Sequence, residues 1–162
     1  SNGKEPRRVA FIQCVGSREE RLGRGYCSQV CCKSAMRFAR LLQNQNPEIK
    51  ITIFYIDLQT AGKGFGEFYE GFKATIRFVR GLPSEITEVS PDELELKYED
   101  FRQGKVIRER YELAVLSIGM VPRKDAPTLA RICGIDLGDY GFFDTSDPLD
   151  TVGTRVPGKR WW

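Results

Sequence analysis

Histidine is absent from this chain of 162 residues. A Ser-His-Asp or Cys-His catalytic pair, a His-ligated zinc or haem and an imidazole pH switch are excluded with it. No apolar run approaches the roughly 20 residues that a membrane helix needs, and no apolar leader segment opens the chain. A dominant charge is missing as well. The 25 Lys and Arg stand against 22 Asp and Glu, a net charge of +3, too balanced for the basic footprint of a nucleic-acid binder. The expectation is a soluble, cytoplasmic protein with no membrane span and no nucleic-acid partner. The length suits one domain, or one domain with a tail, large enough to build a core without covalent staples.

What the chain does have is five cysteines, unevenly spread. Cys14, Cys27, Cys31 and Cys32 form a C-x12-C-x3-C-C pattern, and Cys133 stands alone far downstream. The odd count argues against a secreted disulfide scaffold. The paired C-x2-C knuckles of a zinc ribbon are absent, as is the C-x2-C-x2-C run of common ferredoxins. Four thiolates still match a four-iron cluster or a tetrahedral zinc in number and type. The alternative is a set of small buried residues with one incidental disulfide. Position favours a bound group. Cys14 ends a strand-like run, and Cys27 to Cys32 open a helical pattern. There free N–H groups and the helix dipole favour thiolate. Cys27 and Cys31 would share a helix face but adjacent Cys32 would not, so the helix start must bend or Cys27 must lie just before it.

The hydrophobic pattern predicts strands over 7–13, 50–57 and 76–81 and helices over 26–45 and 67–73. Asn46-Pro47 stops the first helix. Three short strands with alternating charges, over 84–89, 93–100 and 105–111, read as an antiparallel meander. The apolar run over 112–119 reads as a central parallel strand. A short helix is expected over 128–133 and a short strand over 142–144. The fold class that follows is α/β, a Rossmann-like nucleotide-binding-type domain with a parallel sheet plus an antiparallel β-meander. Residues 1–3 read as a tag remnant, 4–122 as the Rossmann-like domain carrying the cysteine motif, and 123–162 as an irregular segment. The first βα turn of such a fold normally carries G-x-G-x-x-G. Here it reads Gln13-Cys14-Val15-Gly16-Ser17-Arg18, with one glycine in place, which argues against ordinary NAD(P) binding.

Several stretches together carry a family resemblance. Val9-Ala10-Phe11-Ile12-Gln13-Cys14-Val15-Gly16-Ser17-Arg18 followed by Tyr26-Cys27-Ser28-Gln29-Val30-Cys31-Cys32 resembles the A subunit of heterodisulfide reductase. So do Phe54-Tyr55-Ile56-Asp57, Gly62-Lys63-Gly64-Phe65, Glu67-Phe68-Tyr69-Glu70 and Val115-Leu116-Ser117-Ile118-Gly119-Met120-Val121-Pro122. The resemblance implies an oxidoreductase: an iron–sulfur flavoprotein with a thioredoxin-reductase-like core that binds FAD and passes electrons between partner subunits. It implies that Cys14, Cys27, Cys31 and Cys32 ligate a [4Fe-4S] cluster, and that the other subunits of a heterodisulfide-reductase-like complex are the partners. It also implies that this chain is an internal domain without activity of its own, its residues 123–162 leading back toward a FAD domain.

Several residues carry narrower expectations. The Gly62-Lys63-Gly64 loop is a candidate cofactor contact, because glycines permit close approach and a lysine stabilises an anionic group. Arg18, Arg21 and Arg24 are candidates to balance the negative charge of an iron–sulfur site, or else they are a solvated loop. Asp57 is expected to be a helix N-cap or a loop anchor. Phe65, Phe68, Tyr69 and Phe72 share a helical face and are expected to pack in the core. Cys133 is expected to be a packed free thiol. A structural zinc site and a thiol–disulfide module remain the alternatives to electron transfer.

Overall fold

The structure is a computed structural model that describes residues 3–59, 64–147 and 150–154. It divides into two compact units, one of Ser1–Arg18 with Cys27–Gly119 and one of Glu19–Tyr26 with Met120–Trp162.

The first unit is built on a parallel sheet. Its strands are β1 (Arg8–Val15), β2 (Lys50–Tyr55), β3 (Ile76–Arg80) and β7 (Leu113–Ile118), in the order β3-β2-β1-β7. Helix α1 (Cys31–Gln45) joins β1 to β2, and α2 (Phe65–Lys73) leads into β3. Between β3 and β7 runs an antiparallel meander of β4 (Glu85–Ser90), β5 (Glu93–Asp100) and β6 (Lys105–Tyr111). The fold class expected from the sequence is therefore the one observed.

Strand alternation explains the layering. One face of β1 presents Val9 and Phe11 to a core completed by Ile51 and Ile53 of β2, Cys32, Ala35, Met36 and Ala39 of α1 and Phe72 of α2. The other face presents Ala10 and Ile12 to a second core with Phe54, Leu96, Tyr98 and Tyr111, from β2 and the meander. Helices thus cover one side of the sheet and the meander covers the other. The buried residues of α1 fall at i, i+3, i+4 and i+7, and two of them are alanines, which lets the helix lie close on the sheet. Phe68, Tyr69 and Phe72 pack on the same side, as expected of their shared face; the side chain of Phe65, the fourth residue of that expectation, lies outside the described residues. The chain leaves α1 at Asn46, whose N–H still reaches Leu42 O at 2.8 Å and whose side chain accepts from Glu48 N at 3.1 Å. That turn and Pro47 end the helix.

Meander and parallel sheet are tied at Glu109. Its carboxylate accepts from Arg77 Nη1 at 2.8 Å, Tyr98 Oη at 2.9 Å and Tyr111 Oη at 3.0 Å, and it also pairs with Arg8. Burial alone would raise the Glu109 pKa. The hydrogen bonds from Tyr98 and Arg77 outweigh it and hold the carboxyl below its ordinary value.

The second unit contains a 3-10 turn over Glu20–Leu22 closed by a Glu19–Arg24 bridge, helix α3 (Ala126–Cys133) and an antiparallel pair, β8 (Thr145–Asp147) and β9 (Asp150–Thr154). Tyr26 packs against Tyr140 and Phe142 with ring centroids 4.8 and 5.2 Å away, and its hydroxyl donates to Met120 O.

Four expectations are corrected. The first helix begins at Cys31, not at 26, because Ser28 to Val30 form a tight turn. β7 is parallel but lies at the sheet edge; Leu116 and Ile118 are 48% and 71% exposed. Its apolar run reads as central because buried parallel strands have that composition. Residues 142–144 supply only a single bridge, Leu137 to Phe143. Cys133 is free but exposed, since burial along α3 stops at Ala130.

Glu109→Gln is expected to lower stability by about 2 kcal/mol at pH 7, the scale of hydrogen bonds to a charged group. A carboxyl held below its unfolded value stabilises the fold above that value and loses the contribution as pH falls through the folded one. The gap between wild type and Glu109→Gln in urea unfolding should therefore be full at pH 7 and shrink below about pH 4.5.

Candidate metal centre

The four motif cysteines come from three places in the first unit. Cys14 sits near the end of β1, Cys27 lies in the segment before α1, and Cys31 and Cys32 are the first two residues of α1. β1 carries one extra residue there. Ile12 pairs with Leu116 and Val15 with Ile118, so two steps on β7 oppose three on β1. This is a β-bulge, a device that re-aims a side chain at a strand end. Cys14 takes φ 59° within it.

Left-handed backbone is concentrated in this region. Of the non-glycine residues with positive φ, Cys14, Arg18 and Gln29 all lie in or beside the motif. Each costs on the order of 1–3 kcal/mol and persists only where its surroundings impose it. The turn at Gln29 is a three-residue one, with Val30 N donating to Ser28 O at 2.8 Å. It also directs the Gln29 N–H at Cys27 Sγ, 3.3 Å away. Helix α1 begins with Val30 as an N-cap that makes no side-chain hydrogen bond. The N-terminal end of the helix dipole thus lies at Cys31 and Cys32, where it favours anionic sulfur.

The thiols share one electrostatic neighbourhood. Cys32 is buried, and desolvation is the main reason its pKa is pushed up to about 11; like charge on Cys14, Cys27 and Cys31 pushes the same way. Cys14 is also raised, chiefly by burial and further by Cys27, while the Arg18 guanidinium pulls it down. Arg18 is fixed by a two-pronged pair with the Asp57 carboxylate, whose second contact is 3.1 Å. That pairing holds Asp57 below its ordinary carboxylate value. Asp57 is thus a loop anchor, and Gly64 takes the N-cap of α2. Arg21 and Arg24 belong to the second unit.

Among the described residues, no three His, Cys, Asp or Glu side chains close on a single metal ion. Cys32 nonetheless feels the charge of Cys14, Cys27 and Cys31. Four cysteine thiolates are the donor set of a [4Fe-4S] cluster, in which each thiolate takes a separate iron. In number, kind and neighbourhood the residues fit that group. Of the other candidate site residues, Gly62 and Lys63 lie outside the described residues. Gly64 takes φ 78°, and a Cβ built on it meets nothing within 4 Å.

Two contributors were not read from the sequence. Gly119 follows β7, and a Cβ there would stand 2.7 Å from Ser17 Cβ and 3.1 Å from Gly16 O. Its N–H donates to Val15 O at 2.9 Å. The residues after Cys14 therefore lie directly on the end of β7, and only glycine admits them. Gln13, fully buried beside Cys14, is the other. A glycine closing an apolar strand and a polar residue ending a buried one were the only signals for them.

In fold the first unit is a dinucleotide-binding-type α/β domain in which the cysteines occupy the carboxyl ends of the strands, where such sheets bind ligands. The chain is similar to the thioredoxin reductase of Lactococcus lactis, with a TM-score of 0.51 and 16% identity over 96% of this chain and 43% of that one; a likeness this remote concerns the fold alone. No family model matches the chain. In sequence it is 44% identical to an iron-sulfur A subunit of CoB–CoM heterodisulfide reductase from Methanopyrus kandleri, over 98% of its length. It is 41% identical, again over 98% of its length, to the A subunit of the H2:CoB-CoM heterodisulfide, ferredoxin reductase of Methanothermobacter marburgensis. The chain is thus homologous, over nearly all of its length, to one region of the heterodisulfide reductase A subunit, part of an oxidoreductase. It spans about a quarter of those relatives, 25% and 24%.

Gly119→Ala is expected to destabilise the chain by about 1–3 kcal/mol, the scale of overpacking against backbone. Gly71→Ala, in α2 with nothing within 4 Å of the added methyl, is the contrasting control and should stabilise by about 0.5–1 kcal/mol. Urea unfolding of both measures the difference.

Proposed function

We propose that this chain is an electron-transfer domain of a flavoprotein like the heterodisulfide reductase A subunit. Cys14, Cys27, Cys31 and Cys32 hold its [4Fe-4S] cluster, which exchanges electrons with the FAD of the intact protein. The observation that carries this reading is the gathering of four thiols from a strand end, a turn and a helix start, in a region whose backbone is costly to maintain. The names of the relatives, which specify an iron-sulfur subunit and a ferredoxin reductase, support it.

When bound, the cluster supplies reversible one-electron storage. The chain's own residues prepare the place for it. The Gln29 N–H on Cys27 Sγ and the N-terminal end of the α1 dipole favour sulfur in its anionic form. Arg18, held by Asp57, places a fixed positive charge beside Cys14. Burial of Cys32 excludes water from one side and keeps the metal-free thiol protonated at neutral pH. Loading the site releases the thiol protons, but electron exchange at the bound group needs no acid–base residue, which suits a chain without histidine.

In the same reading the Gly62-Lys63-Gly64 loop is the chain's contact with the flavin, and the partners are the other subunits of a heterodisulfide-reductase-like complex in the cytoplasm. The positive φ and open surroundings of Gly64 support a close approach there.

The test is iron and sulfide analysis, with a visible spectrum, of the chain reconstituted under strict anaerobiosis. Four irons per chain are expected, with an absorption that bleaches on reduction. Cys14→Ser and Cys32→Ser should each abolish or strongly reduce iron uptake. Stoichiometric zinc in place of iron would replace electron transfer by a structural clamp. A reductant-dependent change in thiol titre without metal would replace it by disulfide chemistry.

A further inference from the structure

Gln13 is completely buried, and among the described residues neither Nε2 nor Oε1 of its side chain has a hydrogen-bond partner. An unpaired buried amide has lost its water without a replacement bond, a cost that an apolar residue would avoid. The preceding core positions of the same strand, Val9, Ala10, Phe11 and Ile12, are all apolar and meet no such cost. The amide lies in the bulge, directly before Cys14. Continuing the alternation of Val9 and Phe11, it belongs to the sheet face covered by α1. Cys32, in the first turn of that helix, is part of the core on this same face. An orphaned donor is thus buried one residue before Cys14, on the face where Cys32 belongs to the core.

We infer that the Gln13 amide is a hydrogen-bond donor to a sulfur of the group these cysteines hold, and that it sets the potential of that group. The inference rests on the cluster reading above. Reduction adds one electron, and so one negative charge, to the cluster. An N–H···S bond is stronger to the more negative state, so Gln13 favours the reduced form and raises the potential. The orphaned amide finds its partner only in the loaded chain. Gln13 is a positioning and tuning residue; it is not a ligand.

The experiment compares the wild-type chain with Gln13→Leu and Gln13→Glu, reconstituted anaerobically, by iron content and by a redox titration monitored with electron paramagnetic resonance. Gln13→Met takes the place of Gln13→Leu if the branched side chain prevents folding. Wild type and Gln13→Leu should take up equal iron. The reduction equilibrium constant of Gln13→Leu should fall about tenfold, or about 59 mV for a one-electron couple. At pH values above the pKa of its carboxyl, which burial raises, Gln13→Glu should fall further, because the carboxylate opposes the added electron. In the metal-free chain the order reverses: Gln13→Leu should melt above wild type, since an orphaned polar group has been removed. Equal potentials with full iron in wild type and Gln13→Leu would overturn the inference and leave the cluster reading intact. So would a Gln13→Leu whose metal-free form melts below metal-free wild type while its reconstituted form keeps the wild-type potential, which marks an amide held by a buried water. Failure of the wild-type chain itself to take up iron would overturn the cluster reading and the inference with it.

Discussion

Strand β1 is the element on which the rest of the first unit depends. It is hydrogen-bonded to β2 on one side and β7 on the other, and both of its faces are covered, one by helices and one by the meander. A strand enclosed in four directions has no freedom to shift register, because a one-residue slip would exchange its two hydrophobic sets. The register Arg8↔Lys50 to Ile12↔Phe54 therefore holds to the last core residue. Whatever change of direction the chain needs must be made after Ile12. The bulge makes it there, and Cys14 is the residue it re-aims.

The two ends of this strand have opposite electrostatic tasks. At its start, Arg8 joins the cluster of polar groups on Glu109, a closed network in which two guanidiniums and two phenols satisfy one carboxylate. That network locks the meander to the sheet. At its end the balance is left open. Arg18 is held in place by Asp57, and Val30 caps α1 with no side-chain hydrogen bond. Burial raises the thiols of Cys14 and Cys32, and like charge on their cysteine neighbours pushes both the same way. Such a region is strained and uncompensated by itself, and a bound group that accepts thiolates relieves both conditions. Because the order β3-β2-β1-β7 reverses direction at β1, the open end is also the place where α/β sheets leave a crevice beyond their strands.

Most of the fold is legible in the sequence. β-branched and aromatic runs mark β2 and β3, alternating charges mark the meander strands, and the 3.6-residue spacing of Ala35, Met36 and Ala39 marks α1. These features are local consequences of side-chain periodicity. The edge position of β7 is not legible, because a run of apolar residues reports burial demand and not which neighbours meet it. The start of α1 at Cys31 escapes a reading of periodicity for a related reason. The turn at Gln29 depends on a left-handed backbone at a residue with no turn signature.

The same division holds at the cysteines. Their number, their C-x12-C-x3-C-C spacing and the absence of histidine narrowed the candidate chemistry to thiolate–metal binding or thiol redox from sequence alone, since donor type and count are properties of composition. Tertiary structure decided everything that depends on approach between distant segments. It brought Asp57 onto Arg18, pressed Ser17 against Gly119 and buried the Gln13 amide without a partner. Those contacts join residues far apart in the chain. They exist only because β1, β2 and β7 are stacked side by side, and that adjacency is written in the packing of two cores and not in any single stretch of sequence.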